Sequence, residues 1–151
     1  MGAFSGGKIS GAIRTPVVKE ISIQSKADNE YLSIDKNLNL KDDSNTTLYI
    51  RNKFLLYDNE DGTYSIMSLF DKNYLSYGSD QKLTGTKDKI TGDTEKFGLY
   101  YVDGYYCILS FANQKYLSVP TNSSGSISHD VHKPWEKQNR KISRFKIEYL
   151  K

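Results

Sequence analysis

The sequence predicts an all-β domain made of three copies of one four-stranded unit. The tripeptide Tyr-Leu-Ser begins at Tyr31, Tyr74 and Tyr116, with spacings of 43 and 42 residues. Apolar and polar residues alternate in short runs, and clusters of Gly, Asn, Asp and Ser separate these runs. No segment carries the apolar stripe that an amphipathic helix requires. Repetition, alternation and turn residues therefore all indicate short strands.

Further positions agree across the three copies. A basic residue followed by Phe recurs as Lys53-Phe54, Lys96-Phe97 and Arg144-Phe145, and each pair begins another alternating run. Each copy thus supplies about four strands, or roughly twelve in the whole chain. The recurring apolar positions form the predicted core: Ile23, Ile66, Ile108, Leu32, Leu75, Leu117, Leu40, Leu83, Ile127, Phe54, Phe97 and Phe145.

Three four-stranded repeats with pseudo-threefold symmetry resemble a β-trefoil, in which a six-stranded barrel is capped by three hairpins. Closing the barrel also removes exposed sheet edges. A propeller blade has a similar length, but three blades are too few to close a ring. We expect a flexible arm at residues 1–16 and one domain at 17–151, with repeats at 17–59, 60–101 and 102–151.

Three motifs are similar to those of fascin-like trefoils. They are NQKYLSV at 113–119, GSI at 125–127 and RFKIE at 144–148. The pattern is similar also to that of hisactophilin, an actin-binding trefoil family rich in His, whereas this chain has two. The strand DKNYLSY at 71–77 resembles those of small clostridial haemagglutinin trefoils. The Gln-x-Trp triplet of ricin-B-type lectins is absent, so the sugar-binding residues of that family are not carried over.

Composition and motifs exclude several classes of function. The 151 residues include twelve Tyr, one Trp and one Cys, and the net charge is +3. One Cys excludes a disulfide framework, and no apolar run approaches the roughly 18 residues of a membrane span. No catalytic triad, phosphate-binding Gly loop or carboxylate pair is recognisable. We therefore expect a non-enzymatic protein without a cofactor. With no apparent signal peptide, we expect it in the cytoplasm or exported without a leader.

The third copy is longer than the others, and its extra residues carry the candidate site. Seventeen residues separate Ile127 from Phe145, against thirteen at the matching places in the other copies, and the segment holds both His and the only Trp. Long loops on a rigid barrel often carry binding residues. We predict that Trp135 stacks on a sugar while polar neighbours bind its hydroxyls: Asp130, His129, Gln138 and Asn139. The alternative is that Trp135 covers the end of the barrel.

A basic cluster in the same copy indicates a second kind of partner. Residues 133–151 contain seven basic and two acidic residues. A basic patch, here called the basic loop patch, is predicted from Lys133, Lys137, Arg140, Lys141 and Arg144. Such a patch could bind an actin filament or an anionic surface. Nucleic acid is not expected as a partner, because most aromatic residues occupy core positions.

A metal site is considered in the same loop and not predicted. His129, Asp130 and His132 are closely spaced, but no fourth ligand accompanies them.

The first hypothesis for the function of the protein is a lectin or adhesion component that binds a glycan or glycoprotein. The alternative is an actin-binding protein of the fascin or hisactophilin type.

Overall fold

The computed structural model of the chain describes residues 18–78, 83–120 and 127–150. The predicted N-terminal arm lies outside these residues. The described part contains twelve strands: β1 (Val18–Ser25), β2 (Tyr31–Ile34), β3 (Leu40–Ser44), β4 (Phe54–Asp58), β5 (Tyr64–Ser68), β6 (Tyr74–Tyr77), β7 (Leu83–Lys87), β8 (Phe97–Val102), β9 (Tyr105–Ser110), β10 (Lys115–Ser118), β11 (Ser128–Val131) and β12 (Phe145–Tyr149). Short 3₁₀-helices at Ile50–Asn52, Asp93–Glu95 and Lys137–Asn139 precede the last strand of each repeat.

Six of these strands form a closed antiparallel barrel. β1 pairs with β4 and β12, β5 pairs with β4 and β8, and β9 pairs with β8 and β12. The other six form hairpins, β2 with β3, β6 with β7 and β10 with β11. The first strand of each hairpin also pairs with β1, β5 or β9. This is the architecture of a β-trefoil, as predicted. No helical segment within the described ranges has the length and hydropathy to span a membrane.

The core consists of the recurring apolar residues. All twelve predicted core residues are buried, and Phe54, Phe97 and Phe145 have no exposed surface. Each of these Phe residues begins the last strand of its repeat, so the three rings enter the barrel at matching positions. In β3, β4 and β7 the residues between the buried ones are partly exposed, whereas β1, β5 and β9 each bury three or more consecutive residues. The core prediction is therefore confirmed.

One tight turn recurs in all three repeats. Asn29, Lys72 and Gln114 each have φ between 60 and 62°, in the left-handed region. Each donates its backbone N–H to the carbonyl of the serine four residues earlier, at 2.9 Å. The next strand begins one or two residues later. The same turn, with the same hydrogen bond, therefore links the barrel strand to the hairpin in all three repeats.

An acidic residue of the first hairpin is buried. Asp42 in β3 is 5% exposed, and its Oδ1 has no hydrogen-bond partner in the described part of the chain. Burial raises the pKa of Asp42 to about 8, and a hydrogen bond with Asp28 and the charges of Asp28, Glu30 and Asp43 act in the same direction. The buried carboxyl is therefore protonated at neutral pH, because the charged form is poorly solvated there.

Asp42→Asn is expected to stabilise the domain at neutral and alkaline pH. The pKa of Asp42 is raised in the folded state, so its contribution is most favourable below about pH 3.8 and is lost as the pH rises towards 8. The amide has no proton to lose, so the advantage of the variant should grow between pH 4 and pH 8, by up to about 1.4 kcal/mol per pH unit. Thermal unfolding at pH 4, 6 and 8 measures it. A difference between variant and wild type that stays constant over this range would contradict the assignment.

Candidate functional site

A cleft of about 260 Å³ opens in the third repeat. It lies between the β8–β9 hairpin, β10 and the loop that follows β11. Sites that enclose drug-sized ligands have volumes of roughly 300–1,000 Å³, so this cleft has room for about one ring of a ligand. Its lining is mainly apolar and aromatic: Tyr100, Val102, Cys107, Tyr116, Pro134, Trp135 and Arg144.

One wall of the cleft is made of two tyrosines. Tyr100 in β8 is 46% exposed, and its ring meets that of Tyr116 edge to face, with centroids 6.2 Å apart. The Tyr100 ring also lies against the backbone of Gly98. A Cβ at position 98 would come within 2.9 Å of Tyr100 Cε2, so a larger residue there would displace the ring. Gly98 and Tyr116 together fix the orientation of this wall.

Trp135 also lines the cleft, and it belongs to an internally bonded loop. The Trp135 side chain is 60% exposed, which does not fit the alternative that it covers the barrel end. Arg140 Nε donates to the Trp135 carbonyl at 2.8 Å, and Asn139 Nδ2 donates to the Lys133 carbonyl at 3.0 Å. The buried Ser143 hydroxyl donates to the Asn139 carbonyl at 2.6 Å. These bonds order the loop, so a ligand would meet an aromatic platform already in place.

Arg144 is the charged member of the lining. It precedes Phe145 and is 8% exposed. Its Nη1 lies 3.5 Å from Asp103 Oδ2, and its Nε has no hydrogen-bond partner among the residues described. Asp103 lies at the tip of the β8–β9 hairpin, where it and Gly104 have φ of 52 and 87° and form a two-residue turn.

Cys107 lies beside Arg144 in the cleft. Burial raises the pKa of the Cys107 thiol, whereas the charge and hydrogen bond of Arg144 act in the opposite direction. The net shift is upward, so the thiol is protonated at neutral pH and is a poor nucleophile. Its contribution to the cleft is apolar surface.

The predicted sugar-binding residues do not all reach the cleft. Trp135 lines it, whereas the Asn139 amide is used within the loop. Gln138 is exposed, and its Nε2 lies 3.3 Å from Glu136 Oε1. His129 and Asp130 belong to β11, but their side chains lie outside the described residues. The hypothesis that the polar residues of this loop bind hydroxyls stays a prediction.

The basic loop patch is also only partly assembled. Lys133, Lys137, Arg140 and Lys141 are exposed, as an interaction surface requires. Arg144 is buried in the cleft, where it lies beside Cys107 and Asp103, and does not contribute to that surface. The described side chains include no group of three potential metal ligands, and His129 and Asp130 are not among them.

Sequence reasoning missed the tyrosine wall. The sequence indicates a structural role for Tyr116, because it belongs to the repeated Tyr-Leu-Ser tripeptide. Its side chain is only partly buried. The alternation that buries Phe97 and Leu99 predicts an outward Tyr100, and Tyr100 is exposed. No sequence signal, however, places this side chain in the same cleft as Trp135, because their proximity depends on the path of the inserted loop.

A second concavity, of about 250 Å³, lies in the first repeat. It is more polar and is lined by residues that include Ser33, Asp43, Tyr49 and Asn52. The buried Asn52 Oδ1 has no partner in the described ranges. Tyr49 is 66% exposed at its edge. The concavity therefore offers hydrogen-bonding groups beside one aromatic ring.

Glu95 occupies the position in the second repeat that Asn52 occupies in the first. It has no exposed surface, and its carboxylate accepts hydrogen bonds from Ser76 Oγ at 2.6 Å, from the backbone N–H and hydroxyl of Thr91, each at 2.7 Å, and from the Thr94 hydroxyl. Burial opposes the charge of Glu95, but these hydrogen bonds outweigh it and lower its pKa to about 2. The carboxylate is therefore a structural anion of the second repeat.

Comparison with known proteins identifies the fold. No model of a protein family matches the sequence, and neither does any curated protein. Several solved structures match in three dimensions. One is ThreeFoil, a designed threefold-symmetric protein, with 14% identity, a TM-score of 0.73, and coverage of 87% of this chain and 99% of that one. The chain has a β-trefoil fold.

Two lectin-related structures are similar at the same level. The Polyporus squamosus lectin, solved with the glycan Neu5Acα2-6Galβ1-4GlcNAc, is 14% identical, with a TM-score of 0.72. The match covers 92% of this chain and 51% of that chain, so this chain spans about half of the lectin. SeviL bound to the asialo-GM1 saccharide is 16% identical, with a TM-score of 0.68 and coverage of 89% and 100%. These matches do not distinguish a fascin-like or hisactophilin-like subtype.

Proposed function

We propose that the protein is a non-enzymatic carbohydrate-binding module whose sugar site is the cleft of the third repeat. The observation that carries the proposal is the exposed Trp135, which lines a cleft the size of one ring together with Tyr100 and Tyr116. Sugar rings present C–H faces that pack on aromatic rings, while Tyr and Trp keep a polar edge for hydrogen bonds. The ligand would be a glycan or a glycoprotein.

The order of the loop supports binding of a small ligand. A single sugar ring buries little surface, so its affinity is easily cancelled by the cost of ordering side chains. Here the hydrogen bonds from Arg140, Asn139 and Ser143 hold the Trp135 segment in the unbound protein. Less ordering is then needed on binding, and more of the stacking energy remains as affinity.

The structural neighbours give independent but coarser support. The Polyporus squamosus lectin and SeviL were both solved with bound saccharides. They establish that this fold can carry sugar sites, although a shared fold does not transfer a site or a specificity. The proposal for this chain therefore depends on its own cleft.

A glycan array tests the proposed function. The full chain, fluorescently labelled away from the third repeat, should bind at least one family of glycans in a way that the free sugar competes for. Calorimetric titration with the best glycan should give a stoichiometry that is the same at different protein concentrations. The absence of binding to any glycan on a broad array, confirmed by titration with concentrated monosaccharides, would refute the proposal.

A second candidate function is binding to an anionic macromolecular surface, such as an actin filament. Four exposed cations of one loop support it, Lys133, Lys137, Arg140 and Lys141. A dense group of like charges attracts an acidic partner and makes the association sensitive to salt. Actin co-sedimentation tests this candidate directly.

Reversing three charges of the loop should abolish co-sedimentation if this second function is real. The suitable variant is Lys133→Glu/Lys137→Glu/Lys141→Glu, because Arg140 supports the Trp135 carbonyl and must remain. Six units of charge change on one surface should weaken binding by at least about tenfold at low salt. Lys72→Glu, at an exposed turn of the second repeat, is a single-charge control. Equal co-sedimentation of the wild type and the triple variant would rule out the patch.

A further inference from the structure

The charged residues at the cleft indicate which glycans it accepts. Arg144 is more than nine-tenths buried, yet its closest ion-pair oxygen, on Asp103, is 3.5 Å away. The Asp103 carboxyl is itself 76% exposed, so water screens it and weakens the pair. An arginine carries five N–H donors. The described chain leaves the Nε of this one without a partner.

A buried cation of this kind is costly unless an anion or several acceptors complete its coordination. Cys107, its other neighbour in the lining, is a neutral thiol and supplies no charge. The remaining lining is aromatic or aliphatic, and so offers no further anion. The protein thus holds the Arg144 guanidinium beside a ring-sized apolar cleft. The charge and the N–H donors of this guanidinium are only partly matched by the residues around it.

We propose that the cleft is selective for acidic sugars, whose carboxylate or sulfate ester binds Arg144 while the ring packs between Trp135 and Tyr100. The planar guanidinium matches the two oxygens of a carboxylate or sulfate in a way that a lysine ammonium does not. This inference rests on the proposed sugar site. It adds the chemical class of the ligand.

Asp103 sets the strength of this selectivity. Its carboxylate lies 3.5 Å from the Arg144 guanidinium and would compete with the acidic group of the ligand for that guanidinium. Its φ of 52° is one that Asn also adopts readily, so Asp103→Asn removes the charge without disturbing the hairpin turn. The variant therefore changes the electrostatics of the cleft and leaves its walls unchanged.

The test compares glycans that differ only in the acidic group. Lactose, sialyllactose and sulfated lactose are titrated calorimetrically into wild type, Asp103→Asn and Arg144→Met, at low and at physiological salt. In wild type the acidic members should bind at least about tenfold more tightly than lactose. Asp103→Asn should increase that ratio about two- to fivefold. Arg144→Met should reduce the ratio towards one, and thermal unfolding shows whether this variant folds.

Two further variants separate Arg144 from other charges. Lys137→Gln/Lys141→Gln lowers the charge of the loop outside the cleft, and should leave most of the acidic preference in place. Asp88→Asn, at an exposed position of the second repeat that does not line the cleft, should change nothing. Preference for sialyllactose alone or sulfated lactose alone identifies the source of the anion. Either result supports the proposal.

The failures are distinguishable. Equal binding of lactose and its acidic derivatives in wild type, with no effect of Asp103→Asn, would overturn the acidic selectivity and leave the sugar site standing. An acidic preference that survives in Arg144→Met would overturn the role of Arg144. Binding of none of these three glycans, together with no binding on the broad array, would refute the sugar site itself.

Discussion

Trp135→Ala is expected to reduce glycan affinity by at least about 30-fold, equivalent to about 2 kcal/mol. The indole is the largest exposed aromatic surface of the cleft, and alanine would remove that surface from the lining. Stability should change little, because the side chain is 60% exposed and makes no part of the barrel core. The measurement is calorimetric or plate-based binding of the best array ligand, together with thermal unfolding.

The adjacent residues Tyr100 and Tyr101 offer a matched control for this variant. Both are exposed, but Tyr100 lines the cleft whereas Tyr101 packs edge to face on Tyr106. Tyr100→Ala should weaken binding severalfold, and Tyr101→Ala should leave it unchanged. Retention of full glycan affinity in Trp135→Ala, or equal losses in the two Tyr variants, would place the sugar site elsewhere.

Glu95→Gln is expected to destabilise the domain by about 3 kcal/mol at pH 7. The substitution keeps the shape of the side chain but replaces a charged acceptor with an amide. Its NH₂ group would face donors, including the backbone N–H of Thr91, which cannot turn away. Chemical denaturation measures the loss. Glu148→Gln, with a half-exposed side chain, is the control and should change stability by less than about 0.5 kcal/mol.

The effect of Glu95→Gln has a defined pH dependence. The pKa of Glu95 is lowered in the folded state, from 4.5 to about 2. Its contribution is therefore fully present above about pH 4.5 and is lost as the pH falls towards 2. The wild type and Glu95→Gln should converge in stability across this window. A difference that persists unchanged at pH 2 would mean that the ionised carboxylate is not the source of the stabilisation.

The fold was predictable because its signals are repeated. Period-two alternation fixes which residues of a strand point inward, and three copies of each signal remove the ambiguity of a single short run. Phe54, Phe97 and Phe145 illustrate this, since each is fully buried at the start of an equivalent strand. The closed barrel is expected from the resemblance of three four-stranded repeats to a β-trefoil.

The site was only partly predictable, because it lies where the repeat is broken. The inserted loop and Trp135 were visible in the sequence as a departure from the other two copies. Arg144 was assigned to an exposed patch, since sequence distance alone cannot show that it is buried next to Asp103. Tyr100 and Trp135 come together only through the tertiary path of the loop, for which no local pattern exists.

Fluorescence of Trp135 tests the central claim most directly, because it is the only tryptophan in the chain and no other indole contributes to the signal. The claim is that sugars bind in the cleft of the third repeat. Titration with the best array glycan should change the intensity or wavelength of the emission, with a midpoint equal to the calorimetric Kd. A glycan that binds by calorimetry and leaves the Trp135 emission unchanged at saturation would contradict the account.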